Sequence, residues 1–175
     1  MQHRAYISRA IIRMSLALLV SGLLLAPRPA MAQEIGLNVW GMEFATLSGE
    51  SVDHMAFYPG MSLSLTFEVG EWALSPSLGA EWAADGDFWG FMAMLYADYP
   101  INDHIGIDII LAGMHDQVRG DWANAEFFVG AGVGISWFIN DRVVLTPNVL
   151  MYYGVRTDTW ALAPGLNLWV SLGGG

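Results

Sequence analysis

Hydrophobic and polar residues alternate along most of the chain after residue 33, with the period of two that indicates β-strands. In Met61–Val69 every second residue is apolar, and serine, threonine and glutamate fill the positions between. The same alternation recurs along the chain and predicts eight strands. They are Gly36–Thr46, Met61–Val69, Trp72–Ala83, Phe88–Tyr99, His104–Met114, Phe127–Ile139, Arg142–Gly154 and Trp160–Leu172.

The connections between these strands fall into two groups. Gly70–Glu71, Pro100–Asp103 and Asn140–Asp141 are short turns. The intervening connections are Leu47–Tyr58, Ala84–Asp87, His115–Glu126 and Val155–Thr159, which include two long loops. Short periplasmic turns opposite longer outer loops are typical of outer-membrane barrels. The pattern predicts an all-β fold, an eight-stranded antiparallel up-and-down transmembrane β-barrel with both chain ends on the periplasmic side.

Alternation alone does not say which face points outward, because a soluble lipocalin-like barrel shows the same period with its apolar face inward. The less apolar face is mostly small residues and the chain contains no lysine, which favours a membrane barrel. Aromatic residues also recur ten positions apart, which covers about 25 Å of membrane normal for a tilted strand. The predicted aromatic girdle is Trp72, Trp82, Trp89, Tyr99, Phe127, Trp137, Tyr153 and Trp160.

The first 32 residues have the order of a secretory signal peptide. Four basic residues between His3 and Arg13 precede the apolar run Met14–Ala26, and Ala30-Met31-Ala32 offers a cleavage site before Gln33. The apolar run is shorter than the ~20 residues that span a bilayer. We therefore expect residues 1–32 to be a cleaved signal peptide and residues 33–175 to be the barrel domain.

The charge balance of the chain excludes some functions. All seven basic residues are arginine, and removal of the signal peptide leaves Arg119, Arg142 and Arg156 against 17 acids, a formal charge of 3 − 17 = −14. Such a balance argues against nucleic-acid binding. No cysteine is present, so the chain has neither disulfides nor thiolate metal ligands. The positive mean hydropathy, in an exported chain without a long apolar segment, favours a closed barrel that spans a membrane.

One hairpin carries a family resemblance. Phe128–Ile135 has glycine at every second position, Trp137-Phe138 follows, and Asn140-Asp141 forms the turn into the next strand. This hairpin resembles the small outer-membrane β-barrel superfamily, which includes the OmpA membrane domain, OmpX, OmpW and the opacity-type proteins. The resemblance implies an outer-membrane location, insertion by the barrel-assembly machinery, and contact with outer-membrane lipid and lipopolysaccharide. It does not imply one activity, since family members are commonly envelope anchors, adhesins or narrow pores.

Two features depart from that pattern. Barrels of this group usually end in an aromatic residue, whereas here Leu172 is followed by Gly173–Gly175. Pro76, Pro147 and Pro164 fall inside predicted strands, and a closed barrel has no free edge for a residue without an N–H. We expect bulges or local breaks of the hydrogen-bond ladder at these prolines.

The inward face is where function is expected, and its charges allow two interpretations. The predicted inward charges are Glu43, Glu68, Glu81, Asp98 and Asp108 with Arg142 and Arg156. They form either salt-bridge layers that plug a narrow lumen or an acidic conduit that selects cations. The glycines at 130, 132 and 134 are expected to make room for Tyr152 or Trp169.

The sequence offers little for catalysis or metal binding. His54 and His115 are expected in outer loops beside Asp53 and Asp116, with Ser48 and Ser51 near His54, and no lipid A deacylase motif is present. His104 is the third histidine after the signal segment. Carboxylates in the outer connections are oxygen ligands of the kind that Ca²⁺ prefers, but they lack a calcium-loop pattern. These are Glu50, Asp53, Asp85, Asp87, Asp116, Asp121 and Glu126.

The sequence therefore predicts a non-enzymatic integral outer-membrane protein with a structural or interaction role, without a catalytic residue, metal or cofactor. A narrow cation-selective pore is the alternative within transport, and a lipid A-modifying enzyme is a more distant one. The oligomeric state is left open by the sequence.

Overall fold

A computed structural model describes residues 34–48, 51–82, 88–118 and 126–174 of the chain. Each of eight strands pairs antiparallel with its neighbours, and β8 pairs with β1 to close the barrel. The strands are β1 (Glu34–Ser48), β2 (Ser51–Val69), β3 (Trp72–Trp82), β4 (Phe88–Pro100), β5 (Ile105–Val118), β6 (Glu126–Asn140), β7 (Val143–Gly154) and β8 (Thr159–Gly174). The predicted eight-stranded up-and-down barrel is confirmed. No helix long and apolar enough to cross a membrane is found among the described residues. The predicted signal peptide, residues 1–32, lies outside them.

The prediction of a long loop over Leu47–Tyr58 is wrong. β2 begins at Ser51 and pairs with β1 as far as Ser48, with one irregularity at Thr46/Leu47. β5 likewise continues to Val118 and places His115 in a strand. Both hairpins extend past the alternating apolar pattern because antiparallel pairing satisfies backbone N–H and C=O groups whatever the side chains.

The large apolar side chains of the barrel wall point outward. Leu78 is 69% exposed and Val133 61%. Their strand neighbours Ser77, Gly134 and Ser136 point inward and are buried. This arrangement is the reverse of a soluble barrel, in which the apolar face fills the interior. The outer surface is therefore a continuous apolar wall built from alternate positions of each strand.

Asparagine side chains shape two of the short turns. Asn102 Oδ1 accepts hydrogen bonds from the backbone N–H groups of His104 (2.9 Å) and Ile105 (3.0 Å). Asn140 Oδ1 accepts from the N–H of Arg142 at 2.9 Å. In the third short turn Gly70 has φ 65°, a conformation that favours glycine. Side-chain and backbone features of single residues thus fix these three turns. The turns lie at the same end of the barrel as the start of β1 and the end of β8, and we call it the short-turn end.

Each of the three prolines lies at a gap in one hydrogen-bond ladder, as predicted. Pro76 lies where the β2–β3 pairing stops at Ser77 and resumes at Leu74. Pro147 occupies the corresponding gap between β6 and β7, and Pro164 that between β8 and β1. The register is the same on both sides of each gap, and no bulge forms there. On its other side each proline keeps its pairing, with Leu95, Leu166 and Val149 respectively.

Hydroxyl groups bridge two of these gaps. Thr66 Oγ1 and Ser75 Oγ lie 2.8 Å apart across the β2–β3 gap, and Ser136 Oγ and Thr146 Oγ1 lie 3.3 Å apart across the β6–β7 gap. These four residues point into the barrel. Their side-chain hydrogen bonds partly replace the backbone bonds that the prolines interrupt.

Candidate functional site

The interior of the barrel has two layers of opposite chemistry. Along β5 the inward side chains run from Asp108, nearest the short turns, to Ile110, Ala112 and Met114. β4 gives the same order in reverse, from Met92 and Met94 to Tyr96 and then Asp98. The polar layer therefore lies toward the short-turn end and the apolar layer toward the opposite, outer end.

The apolar layer fills the outer half of the lumen, and we call it the apolar plug. It contains Trp40, Met42, Met92, Met94, Tyr96, Ile110, Ala112, Met114, Phe128, Leu150, Tyr152, Ala161 and Ala163, and Tyr58 packs against it. Eight strands enclose an interior about wide enough for side chains alone. Buried apolar side chains, instead of the predicted salt-bridge layers, close this part of the barrel.

Glycines on the inward face make room for the largest of these side chains. A Cβ atom built at Gly60 would lie 2.4 Å from Trp40 Cε2, and one at Gly130 would lie 2.5 Å from Tyr152 Cδ1. The prediction that the glycine row accommodates Tyr152 therefore holds at Gly130. Trp169 instead lies over Gly36 on β1, where a Cβ would be 1.9 Å from its Nε1.

The polar layer surrounds an open cavity of about 1220 Å³ at the short-turn end. Asp98, Asp108, Asn38, Asn167 and Thr146 line its wall. Glu34, Glu68, Glu71, Asp103 and Asp141 lie around its mouth, together with His104. No lysine or arginine lines the cavity within residues 34–48, 51–82, 88–118 and 126–174. The cavity is therefore strongly acidic and ends at Tyr96, the plug residue that also lines it.

Two carboxylates face each other in the cavity wall. Asp98 on β4 and Asp108 on β5 are direct cross-strand partners, which places their Cβ atoms about 5 Å apart. Ser136 Oγ donates to Asp98 Oδ1 at 2.5 Å, and the backbone N–H of Ala97 donates to Asp108. Both acids were predicted to point inward, and the structure brings them together.

A hydrogen-bonded group of neutral side chains lines the opposite wall. Asn167 Nδ2 donates to Asn38 Oδ1 at 3.3 Å. Trp169 Nε1 donates to Ser64 Oγ at 3.1 Å, and Ser64 Oγ donates in turn to the carbonyl of Gly36. This side of the cavity wall is thus a polar surface, in which the hydrogen bond from Trp169 Nε1 to Ser64 fixes the orientation of the indole ring.

Three of the charges predicted inside the barrel lie elsewhere. Glu43 is exposed on the outer surface, because the inward positions of β1 are Asn38, Trp40 and Met42 and its number has the opposite parity. Arg142 has the inward parity of β7 but falls in the two-residue turn before it, where it is exposed. Arg156 is exposed in the turn between β7 and β8.

The remaining predicted charges lie inside or at the mouth. Glu81 enters the outer layer and is 1% exposed, whereas Glu68 lies at the cavity mouth and is exposed. Neither arginine occupies the inward strand position that the predicted layers required.

The predicted girdle residues occupy two levels of the outer surface. At the short-turn end the rings of Trp72 and Tyr99 lie 5.1 Å apart, and at the outer end those of Tyr153 and Trp160 also lie 5.1 Å apart. Trp82 pairs with Trp89 at the outer end. Phe127 is half-buried at that same end, and Trp137 is exposed at the short-turn end.

The two tyrosines direct their hydroxyl groups toward turn residues. Tyr99 donates to Glu71 at 2.9 Å and Tyr153 donates to Asp158 at 2.8 Å. A ring against an apolar wall with a hydrated polar tip is the arrangement expected at a membrane interface.

Glu126 has a structural role that sequence reasoning missed. It is 7% exposed, and its Oε1 accepts from the N–H of Phe127 (2.9 Å) and of Arg156 (2.8 Å). Its Oε2 accepts from the N–H of Thr157 at 2.8 Å. A single carboxylate thus holds the β7–β8 turn against β6. The sequence pattern assigned Glu126 to a loop and carried no signal for this role, because its partners are backbone N–H groups of a turn 30 residues further along the chain.

We expect Glu126→Ala to lower the free energy of unfolding by about 2 kcal/mol, because it leaves three N–H groups without their charged acceptor. Urea unfolding of the barrel in detergent micelles, followed by tryptophan fluorescence, measures the loss. Glu43→Ala removes the same side chain from the outer surface and should change the midpoint far less. Equal midpoints for the two variants would contradict the role given to Glu126.

Of the histidines considered for catalysis, the structure describes the side chain of His115 and only the backbone of His54. His115 is a half-buried residue of β5, and the backbone of His54 lies in β2, with β3 and β4 between them in the wall. The structure does not describe the side chains of the other residues considered for catalysis, which are Ser48, Ser51, Asp53, His54 and Asp116. Nor does it describe Glu50, Asp85, Asp87 and Asp121 of the acidic connections. Where side chains are described, no group of three His, Asp or Glu residues is placed to hold a metal ion.

Comparison with known proteins shows the fold. No protein-family model and no curated protein matches the sequence. Ail of Yersinia pestis, solved with the heparin analogue sucrose octasulfate, is 12% identical with a TM-score of 0.54, covering 81% of this chain and all of Ail.

Two further structures are similar. Neisserial surface protein A is 11% identical with a TM-score of 0.51, over 79% of this chain and 97% of its own. The N-terminal β-barrel domain of Pseudomonas aeruginosa OprF is 14% identical with a TM-score of 0.50, over 79% and 98%. The chain has the eight-stranded fold of small outer-membrane barrels.

Proposed function

We propose that the mature chain is an integral protein of the outer membrane of a Gram-negative bacterium, with both termini in the periplasm. The observation that carries this proposal is the apolar outer wall of a closed barrel whose buried polar and charged side chains lie on its inward face. A closed barrel satisfies every backbone group internally, and its apolar exterior suits a bilayer and no aqueous compartment. Its aromatic residues recur ten positions apart along a strand, which corresponds to about 25 Å of membrane normal for a tilted strand, the height of the apolar band of such barrels.

Within that membrane we propose a structural or interaction role instead of transport. The apolar plug spans the lumen on its outer side, so that the acidic cavity has an opening at one end. The acidic cavity is the one observation in favour of the alternative, a narrow cation-selective pore. Cation-selective current steps from the refolded protein in planar bilayers would support the pore and reject the plugged scaffold.

We propose a non-enzymatic role. Catalysis at a lipid surface needs a nucleophile and a base within hydrogen-bond reach, and the sequence contains no lipid A deacylase motif that would supply them. Lipid A analysis by mass spectrometry, in cells that express the wild type or His115→Ala, tests this. A lipid A change that depends on His115 would establish the enzyme.

The absence of cysteine allows a direct test of location and orientation. Thr157→Cys places one thiol in the β7–β8 turn, and Asp141→Cys places one in a short turn. A membrane-impermeant maleimide added to intact cells should label Thr157→Cys alone, and cell lysis should allow both to be labelled. Both proteins should be recovered in the outer-membrane fraction. Labelling of Asp141→Cys on intact cells would overturn the orientation, and recovery in a soluble fraction would overturn the location.

A further inference from the structure

The pair Asp98–Asp108 needs a positive partner that the described part of the barrel does not supply. The two carboxylates are direct cross-strand neighbours in the cavity wall, and like charges in that relation repel each other. Arg142 and Arg156 are exposed in turns at opposite ends of the barrel. Since burying unbalanced charge is costly, a proton or a bound cation must complete the pair.

Buried oxygen atoms with no donor point to the same place. Asp108 is 1% exposed and lines the cavity, yet its Oδ1 has no hydrogen-bond partner. Asn167 is 4% exposed, lines the same cavity, and its Oδ1 also lacks a partner. Native interiors satisfy nearly all such atoms. Asn38 Nδ2 in the same wall also lacks a partner. The two unpartnered acceptors, one of them on a carboxylate, indicate a ligand that donates hydrogen bonds and carries positive charge.

The shape and lining of the cavity favour an organic cation over a bare metal ion. The described carboxylates do not gather into a set of three around one point. At about 1220 Å³ the cavity has more than enough volume for a small organic molecule, and Tyr96, Phe138 and Trp169 contribute aromatic rings to its wall. Ammonium and guanidinium groups bind at such rings and donate several hydrogen bonds at once.

The mouth of the cavity would attract the same chemistry. Glu34, Glu68, Glu71, Asp103 and Asp141 surround the opening. Glu71 accepts from Tyr99, and Glu34 accepts from Ser171 Oγ, which keeps both carboxylates at the rim. His104 is the one titratable group of basic type among the lining residues. An acidic rim in front of a low-dielectric cavity concentrates cations and speeds their entry.

We propose that the cavity binds an organic polycation, a linear polyamine in its chemical class, with one terminal ammonium between Asp98 and Asp108 at the closed end. The remaining ammonium groups lie toward the acidic rim, and the chain of methylene groups lies along Trp169 and Phe138. Asn167 Oδ1 and Asp108 Oδ1 accept hydrogen bonds from the bound cation. The site is reached from the short-turn end, and its binding chemistry does not depend on where in the cell that end faces.

The test is isothermal titration of spermidine into the full mature barrel, refolded in neutral detergent micelles near neutral pH. We expect saturable binding at one site per chain. Asp108→Asn should weaken it more than tenfold, because it removes one carboxylate of a buried pair. Glu43→Gln removes the same charge from the outer wall and should leave the affinity unchanged. Retained heat-modifiable migration on gels shows that each variant is folded, and Asp98→Asn serves as a second interior variant.

Three outcomes would overturn the proposal. Equal weakening by Glu43→Gln and Asp108→Asn would mean that spermidine binds the net charge of the protein. Loss of binding in Mg²⁺, with retention in NaCl of the same ionic strength, would assign the site to a divalent metal ion. Heats that do not saturate with the folded wild type would mean that the acid pair holds a proton and no ligand. The cysteine-labelling result stands apart from all three, so failure here leaves the proposed location intact.

Discussion

Simultaneous replacement of Trp40 and Tyr152 by alanine is expected to turn a closed barrel into a conducting one. Trp40 is 5% exposed and Tyr152 is fully buried. Each packs over its cross-strand partner on the neighbouring strand, Gly60 and Gly130 respectively. We expect removal of both rings to open the apolar plug, which closes the lumen beyond Tyr96, toward the acidic cavity. The carboxylates at the remaining constriction should make the current cation-selective.

Planar bilayers containing the refolded protein measure this effect. We expect no resolved current steps from the wild type and small cation-selective steps from the double variant. Trp137→Ala with Trp160→Ala removes two large rings from the outer surface, where both are exposed, and should give no current. Steps of equal size from the wild type and the double variant would show that the plug does not close the lumen.

A Gly132→Ala barrel is expected to fold poorly. A Cβ at Gly132 would lie 2.3 Å from the carbonyl oxygen of Val149 and 2.8 Å from Cα of Leu150. Both atoms belong to the backbone of β7, so no side-chain rotation can relieve the contact. Overpacking of this kind costs about 1–3 kcal/mol or more, and here it acts on the pairing between β6 and β7 itself.

Refolding yield and the urea midpoint of Gly132→Ala in micelles report that cost. Gly113→Ala is the matched control, because a Cβ there would meet only Phe127 Cζ at 3.6 Å, an ordinary contact. The control should refold as the wild type does, whereas Gly132→Ala should lose yield and unfold at lower urea. A Gly132→Ala barrel as stable as the control would mean that β6 and β7 are less closely packed than the structure shows.

The wall of the barrel could be predicted from the sequence because it follows from one local rule. A strand with one face in lipid alternates at every second residue, and Phe127–Ile139 does so along its whole length. The prolines were also informative, since a residue without an N–H, such as Pro147, removes a hydrogen bond from the ladder wherever its strand lies in the sheet. Such signals depend on a residue and its immediate neighbours, and these predictions are confirmed.

The contents of the lumen depended on parity and depth, which the sequence defines less well. In β1 both faces carry large apolar residues, so the sequence pattern did not separate Met42 from Glu43, and Glu43 was assigned to the wrong face. Arg142 has the correct parity but lies just beyond the strand, where parity no longer applies. The division of the lumen into apolar plug and acidic cavity is non-local. It depends on the depth at which each inward side chain lies, and that depth is set by the register between all eight tilted strands.

The extension of β2 to Ser51 shows another limit. Ser51–Tyr58 mixes polar and apolar residues without a period of two, which is the usual mark of a loop. Its strand conformation follows from pairing with β1. Pairing depends on two segments together, and the sequence of one segment does not show which other segment it pairs with.

The three proline gaps divide the wall into three panels, within which the strand pairing is continuous. Pairing is uninterrupted from β3 through β6, within β7–β8, and within β1–β2 apart from one irregularity near its tip. The gaps fall at the three seams that join these panels, including the seam where the last strand meets the first. A cylinder built this way has three hinge lines parallel to its strands. Slow changes in the shape of the barrel should then occur by small rotations of the panels about those lines. The hydrogen bonds Thr66–Ser75 and Ser136–Thr146 should restrain the rotation at two of them.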